Sequence, residues 1–241
     1  MSDLSQAAVL DALDAVYRNV TAVAGGLGEA DLMRPSRCAG WAVADVLYHA
    51  LLDARRALRT FASPADQPPD CDDVSYWTDY APAGDGASGD GASGSGAPTY
   101  AEESAAHARY VRIAAAAYPP GALAWEWSET AAAAVRAGRA CGHQAVTTQG
   151  HVLTVADFAA TLAVEAAVHY LDLTVALPGT PAPEPASLAL VRRVLGGLLG
   201  APVPAFWDDV TAALKGTGRE PLAEADRQAL GPSAGRFPLF A

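Results

Sequence analysis

The segment VEAAVHYLDL carries Glu165, His169 and Asp172 within a run that is otherwise rich in Ala, Leu and Val. Side chains four positions apart lie on one face of a helix, so Glu165 and His169 point in the same direction. Phe158 and Leu162 precede them on that stripe, which indicates an apolar interior. A carboxylate is costly to bury unless another group compensates its charge. The spacing therefore predicts one of two things: a satisfied core pair, with His169 hydrogen-bonded to Glu165, or a divalent metal held by both side chains.

A second histidine lies in an equally apolar helical segment far upstream. His49 has Val46 and Leu52 near it in the sequence. Asp45 and Asp53 each lie one helical turn away. His49 is therefore either a surface histidine between two carboxylates or a third ligand presented by a facing helix. Two imidazoles and one carboxylate suit zinc, nickel, iron or manganese, and three protein ligands leave coordination positions open, as in catalytic metal sites.

The elements that must position these side chains are mainly helical by their apolar spacing. The pattern predicts a first helix ending at Gly25-Gly26, a second within GWAVADVLYHALLDARRALRTF, a third from about Thr99 to Tyr118, and a fourth from about 155 to 177, capped by Thr154 and Asp157. LAWEW alternates as a strand would, a short helix is expected at about 129–138, and CGHQAVTTQGHVLT is typical of a strand or hairpin. The tail contains two or three short helices.

We therefore expect a mainly α protein, a four-helix bundle with a short β-hairpin and a small C-terminal helical extension. The bundle is assigned to residues 1–180 and the extension, packed on it, to residues 181–241. Residues 62–98 change in composition, first to the acidic and Pro-rich DQPPDCDD and then to GDGASGDGASGSGAP. Such a segment cannot bury enough apolar surface to offset its ordering entropy, so we expect a flexible Gly/Ser-rich insertion at about 81–98.

Composition excludes several classes of partner. The 241 residues carry a formal net charge of -11, which argues against nucleic acid and against the anionic surface of a membrane. The N-terminal segment has acids where a signal peptide needs basic residues, and no stretch is long and apolar enough to span a bilayer. The three scattered cysteines, Cys38, Cys71 and Cys141, suit a reducing compartment and are assigned no chemistry. We expect a cytoplasmic protein, of an oligomeric state that the sequence does not predict.

GWAVADVLYH, followed far downstream by VEAAVHYLDL, resembles the metal-binding domain of mycothiol-dependent maleylpyruvate isomerase, a family of the DinB-like superfamily. The tail GTGREPLAEADRQALGPSAGRFPL also resembles the ending of many members. The resemblance implies a DinB-like bundle in which His49, Glu165 and His169 hold a divalent metal, with zinc expected first and nickel, iron or manganese as alternatives. Asp172 matches the acid that follows the second histidine. It either orients a metal ligand without touching the metal itself or makes a hydrogen bond at the end of the helix.

Two features depart from the family pattern. Members often have Ser or Thr after the Trp, where it would cap the helix, but this chain has Ala42. The start of that helix must therefore rely on Gly40 or on packing. The insertion is also unusual, and it could alter what covers the site.

The resemblance implies mycothiol or a similar small thiol as cosubstrate. A coordinating thiol loses its proton, and the thiolate is the nucleophilic form. A thiolate can add to an activated double bond, allow rotation and leave again, or it can stay attached to the electrophile. Three functions stay open: a thiol S-transferase acting on an electrophilic small molecule, a maleylpyruvate cis–trans isomerase, and a non-catalytic metal-binding module. We favour the transferase, because a dianionic substrate needs basic residues and few Lys or Arg lie near these motifs.

The remaining polar candidates are less constrained. His107, His143 and His151 are expected to be ordinary surface or hairpin residues, although His151 could reach the mouth of the site as a proton shuttle. Arg219, in GTGREPL, and Arg236, in GRFPL, could bind a carboxylate of the substrate or cofactor, because a guanidinium offers two parallel donors.

Overall fold

The structure is a computed structural model that describes residues 5–80, 100–119 and 121–240. Its helices are α1 (Gln6–Ala24), α2 (Glu29–Leu32), α3 (Val43–Phe61), α4 (Tyr100–Ala116), α5 (Ala122–Ala140), α6 (Val155–Thr174), α7 (Pro185–Leu199), α8 (Asp209–Gly216) and α9 (Glu224–Leu230), with 3₁₀ helices at Ser75–Tyr80 and Gly231–Arg236. The strands are β1 (Ala145–Thr148) and β2 (His151–Thr154). The predicted mainly α class with one hairpin is confirmed. The expected insertion at about 81–98 lies outside the described residues.

The bundle consists of α1, α3, α5 and α6. Around it, α1 packs against α5, α5 against α3, α3 against α6, and α6 against α1. Helix α4 lies outside this ring and packs against α3. The four-helix bundle is thus present, with α5 rather than α4 completing it. The helices α3 and α6, on which the histidine motifs lie, are direct neighbours.

The prediction of a strand at LAWEW is wrong, because these residues lie in the first turns of α5. Leu123 and Trp127 are both buried, whereas Trp125 between them is 67% exposed. Ala131 and Ala134 continue the buried stripe at helical spacing. Over five residues, an alternating pattern cannot be distinguished from one flank of a helix, and the buried alanines that follow settle the period at 3.6.

The two helices of the motifs begin with side-chain caps. Thr154 accepts a hydrogen bond from the Asp157 amide at 3.0 Å, which confirms the capping pattern predicted for α6. At α3 the expected reliance on Gly40 or packing is wrong. The Asp45 carboxylate accepts a hydrogen bond from the Ala42 amide at 2.8 Å. A carboxylate in the first turn compensates for the missing Ser or Thr, and its negative charge also interacts favourably with the positive end of the helix dipole.

The hairpin precedes α6 and is tied to the chain that leaves α3. Its strands are antiparallel, from Ala145 opposite Thr154 to Thr148 opposite His151. The turn residues Gln149 and Gly150 have φ of 46° and 87°, the left-handed values that a two-residue hairpin turn of this kind requires. The segment after α3 runs along both strands through three backbone hydrogen bonds, from Ala65 N to Ala145 O, Thr147 N to Ser63 O, and Asp70 N to Val152 O.

The C-terminal helices pack against the bundle. Helix α7 contacts α6 and α1, and α8 contacts α7 and α6. The Phe240 ring lies on the Trp77 ring, with centroids 4.4 Å apart, so the end of the chain returns to the first 3₁₀ helix. The domain boundary near residue 180 stays a prediction. Within the described ranges, no helix combines the length and apolarity needed to cross a bilayer.

Candidate functional site

Helices α3 and α6 bring the three predicted ligands together. Ligand atoms of His49, Glu165 and His169 all lie within 4.8 Å of one another. The His49 and His169 rings meet nearly at right angles, with centroids 4.8 Å apart. The Nε2 atom of His169 lies 3.3 Å from Oε2 of Glu165, one helical turn earlier. The spacing of four residues within α6, and the packing of α3 beside it, therefore produce one cluster of two imidazoles and one carboxylate.

The wholly buried carboxylate of Asp172 orients the His169 ring. Its Nδ1 atom donates to Oδ2 of Asp172 at 3.0 Å, and Asp172 has no exposed side-chain surface. Arg219 donates to both oxygens of Asp172, with Nε at 3.1 Å from Oδ1 and Nη2 at 3.0 Å from Oδ2. The Cys38 thiol donates to Oδ2 at 3.3 Å. Since the proton on Nδ1 faces Asp172, the Nε2 atom is the one directed toward Glu165.

The charges of the cluster are set by burial and by these contacts. Burial lowers the pKa of His49, against the opposing effect of Asp53, so this imidazole is neutral. Burial also acts to lower the pKa of His169, but hydrogen bonds to Asp172 and Glu165 outweigh it and raise that pKa well above its ordinary value. Burial acts to raise the pKa of Glu165, yet the hydrogen bond from His169 and nearby positive charges hold it below its ordinary value. Without a metal, a protonated His169 therefore lies between two carboxylates.

The residues fit a divalent metal. A cation could take the place of the proton on Nε2 of His169, between a carboxylate and a neutral imidazole, while Nδ1 keeps its proton toward Asp172. A buried acceptor nearby also lacks a partner: within the described residues Oδ2 of Asp53 makes no hydrogen bond, and it lies 3.9 Å from Nε2 of His49. Two nitrogens and one oxygen form the mixed donor set that zinc and its neighbours accept.

A cavity of about 1200 Å³ opens over this cluster, and its lining includes both basic and acidic residues. Its basic residues are Arg55, Arg56, Arg59 and Arg219, and its acidic residues are Asp53, Glu103 and Glu165. Our expectation that few basic residues lie near the motifs is therefore wrong for the folded chain. Three of these arginines follow His49 on α3, and the fourth arrives from the segment after α8.

One of these arginines joins the bundle to the hairpin. Arg56 pairs with Asp53 at 3.0 Å and donates to the Tyr76 hydroxyl at 3.2 Å. It also donates to Oε1 of Gln149, which accepts from Tyr76 at 2.7 Å as well. Gln149 is itself a cavity-lining residue, so the hairpin turn forms part of the cavity wall.

His107 is exposed, as the sequence predicts, but it also lies beside the site. Its Nε2 atom lies 3.3 Å from Nδ1 of His49, and the side chain lines the cavity. The rings of this pair are 5.4 Å apart. Helix α4 is Ala-rich on several faces, so its sequence gives no clear apolar stripe from which the direction of His107 could be predicted.

The structure does not bring two of the proposed residues to the cavity lining that it describes. Arg236 donates to the carbonyls of Leu199 and Leu198, at 2.9 and 2.6 Å, and so satisfies the C-terminal end of α7. The Nδ1 atom of His151 lies 3.4 Å from Oδ1 of Asp70, away from the described lining. Of the candidates outside the cluster, Asp172 and Arg219 are brought to it.

Comparisons with known proteins yield one informative match. No curated protein and no solved structure matches this chain significantly. A family model, however, covers most of the chain and spans the bundle, including His49, Glu165, His169 and Asp172. The chain belongs to the mycothiol maleylpyruvate isomerase N-terminal domain family, whose model matches residues 13–174.

Proposed function

We propose that this protein is a metal-dependent enzyme that activates a small thiol of the mycothiol type for attack on an electrophilic small molecule. The observation that carries the proposal is the cluster of His49, Glu165 and His169, with ligand atoms within 4.8 Å of one another beneath a large cavity. The family match supports mycothiol as the thiol. Zinc is the proposed metal, and nickel, iron or manganese would suit the same donors.

A divalent metal held by these three side chains would lower the pKa of a coordinating thiol, so that the nucleophilic thiolate is present at neutral pH. The chain's own groups prepare this step. Asp172 holds the proton on Nδ1 of His169 and leaves Nε2 directed into the cluster. Arg219 neutralises Asp172 and so allows a carboxylate with no solvent contact to remain charged. Neither residue needs to touch the substrate for these roles.

The cavity volume is compatible with two bound molecules. Its volume of about 1200 Å³ exceeds the 300 to 1,000 Å³ that is typical of a site for one drug-sized ligand. A thiol and an electrophile can therefore be bound together, which is what a transfer reaction needs.

A second candidate, cis–trans isomerisation of maleylpyruvate, is supported by one arginine of the cavity. Arg55 is paired with Glu126, Arg56 with Asp53, and Arg219 with Asp172. Arg59, in contrast, is exposed on the cavity lining, and its guanidinium has no ion pair or hydrogen bond within the described part of the chain. Its charge is available for a substrate carboxylate.

The test is a thiol balance during turnover. Metal-loaded and chelated protein are each mixed with mycothiol and either maleylpyruvate or a thiol-reactive electrophile, and free thiol and product are followed together. A transferase consumes one thiol per product, whereas an isomerase forms product with no net loss of thiol. The His49→Ala/His169→Ala variant should lose either activity, and His143→Ala, on the loop before β1, is the control. If neither reaction depends on both thiol and metal, both enzymatic candidates are refuted and a binding module remains.

A further inference from the structure

A second group of potential ligands lies where the chain after α3 meets the hairpin. Ligand atoms of Asp70, Cys71 and His151 all lie within 4.8 Å of one another. Among the described residues, two further sets of this kind exist, and they share His169. The group at Asp70 has no member in common with either of them. It contains a thiol, an imidazole and a carboxylate, the three side-chain types that bind zinc in proteins.

The backbone of this group is fixed on both sides. The Asp70 amide donates to the Val152 carbonyl at 3.0 Å, and the Asp70 carboxylate accepts from the Val152 amide at 3.2 Å. Asp70 is thus paired with the residue that follows His151. Zinc with bonds of 2.0 to 2.3 Å has ligand atoms about 3.4 to 3.6 Å apart, so the three atoms need to close by only about 1 Å. Side-chain rotation alone supplies a movement of that size.

The surroundings favour a cation over a free thiolate. Burial raises the pKa of the Cys71 thiol to about 12, and the carboxylates of Asp70, Asp72 and Asp157 act in the same direction. Such a thiol is a poor nucleophile at neutral pH, which argues against a catalytic Cys–His–Asp arrangement. The same negative surroundings attract a divalent ion, and an ion that coordinates the sulfur removes its proton.

We infer that Asp70, Cys71 and His151 form a second metal site, separate from the cavity cluster, that takes a zinc-type divalent ion. Three protein ligands leave a position for water at this half-exposed surface. The ion would join the segment after α3 to β2 just before the 3₁₀ helix Ser75–Tyr80. That helix supplies Trp77 and Tyr80 to the cavity wall, so the second ion would stabilise the wall without entering the cavity.

Cobalt(II) distinguishes this site by its thiolate ligand. Protein loaded with Co(II) should show the near-ultraviolet charge-transfer band of a cobalt–thiolate bond and should hold two metal ions per chain. Cys71→Ser should lose the band and one ion, while Cys141→Ser, which removes another half-buried thiol, should keep both. The His49→Ala/His169→Ala variant should keep the band with one ion. The inference is therefore tested independently of the proposed function.

Other outcomes overturn it. A band that survives in Cys71→Ser and disappears in Cys38→Ser would show that the cobalt-bound thiolate is Cys38, beside the cavity cluster. A wild type that binds one ion without the band would leave Cys71 uncoordinated. Thermal unfolding of each variant in the presence of a chelator checks that the variant folds. If Cys71→Ser does not fold, His151→Gln serves in its place. Loss of a hydrogen-bond partner behind a ligand lowers metal affinity by about 10- to 100-fold, and His151→Gln should lower the affinity of this site by more than that. An unchanged affinity would refute the assignment.

Discussion

Replacement of Glu165 by Gln separates a metal site from a structural His–Glu pair. Glu165 is the one anionic member of the cluster, and its Oε2 atom lies 3.3 Å from Nε2 of His169. Glutamine keeps the shape and an oxygen that can still accept a hydrogen bond from His169, but it removes the charge that balances a cation. The substitution therefore changes metal affinity far more than it changes packing. Without metal, the variant should melt below the wild-type temperature, because the Glu165 carboxylate accepts from a protonated His169 and its pKa lies below its ordinary value, so its charge stabilises the fold at neutral pH.

The size of the effect follows from mass action. At a free metal concentration 100 times the Kd, an ion that binds only the folded state stabilises it by about 2.7 kcal/mol. In a chain of this size 1 kcal/mol shifts Tm by about 2 to 4 °C, so the wild type should gain about 5 to 11 °C. If loss of the carboxylate weakens binding about 100-fold, the same metal concentration stabilises the variant by only about 0.4 kcal/mol, or about 1 °C.

The assay is thermal unfolding of both proteins, each with chelator and with excess zinc. Glu129→Gln makes the same charge change at an exposed position of α5, and it should keep the full zinc-dependent gain. A second zinc site would stabilise all three proteins equally, so the deciding quantity is the difference between Glu165→Gln and Glu129→Gln. If these two variants gain the same Tm from zinc, Glu165 is not a ligand and the pair with His169 is structural.

Three further predictions concern the groups around the cluster. His107→Ala should weaken metal binding about 10- to 100-fold in calorimetric titration, because the contact that orients His49 is lost, whereas His143→Ala should bind as the wild type does. Since the pKa of His169 lies above its ordinary value, a bound metal must displace a proton from this residue at neutral pH. Metal affinity should therefore rise about tenfold per pH unit up to that pKa and level off above it. Calorimetry in buffers of different ionisation enthalpy measures the released protons, and no proton release at pH 7 would contradict this prediction. Arg219→Gln should destabilise the fold by about 3 kcal/mol in denaturant unfolding, because it leaves a buried carboxylate with only His169 and the Cys38 thiol as side-chain partners. Loss of the exposed ion pairs of Arg139 should cost less than about 1 kcal/mol, and equal costs would refute this account.

The proposed ligands could be singled out from the sequence because burial and polarity conflict locally. Glu165 and His169 lie four positions apart, which places them on one face of the predicted helix, and His49 interrupts a second apolar helical segment. Such a conflict needs no knowledge of distant contacts. The capping of α6 by Thr154 is equally local, and it was predicted for the same reason.

What could not be predicted depends on how separate segments meet. Arg219 reaches Asp172 across 47 positions of sequence, and no local pattern indicates this contact. Arg56 follows His49 by seven positions and so shares its helix face, which was a usable signal, although charges in the last half of a helix usually indicate a solvated surface. Cys71 and His151 are brought together by the pairing of a loop with the hairpin, which no periodicity encodes.

The counter-charge for Asp172 has a further consequence for the basicity of His169. The family match ends at residue 174, whereas Arg219 belongs to the extension that packs beside the bundle. Through Asp172, the basicity of His169 thus depends partly on a segment that lies outside the matched range. A different extension on the same bundle, lacking this guanidinium, would leave Asp172 more strongly negative toward His169 and make that imidazole hold both a proton and a metal more tightly. The segment after α8 thus influences the charge at the candidate metal cluster, although it supplies none of the proposed ligands.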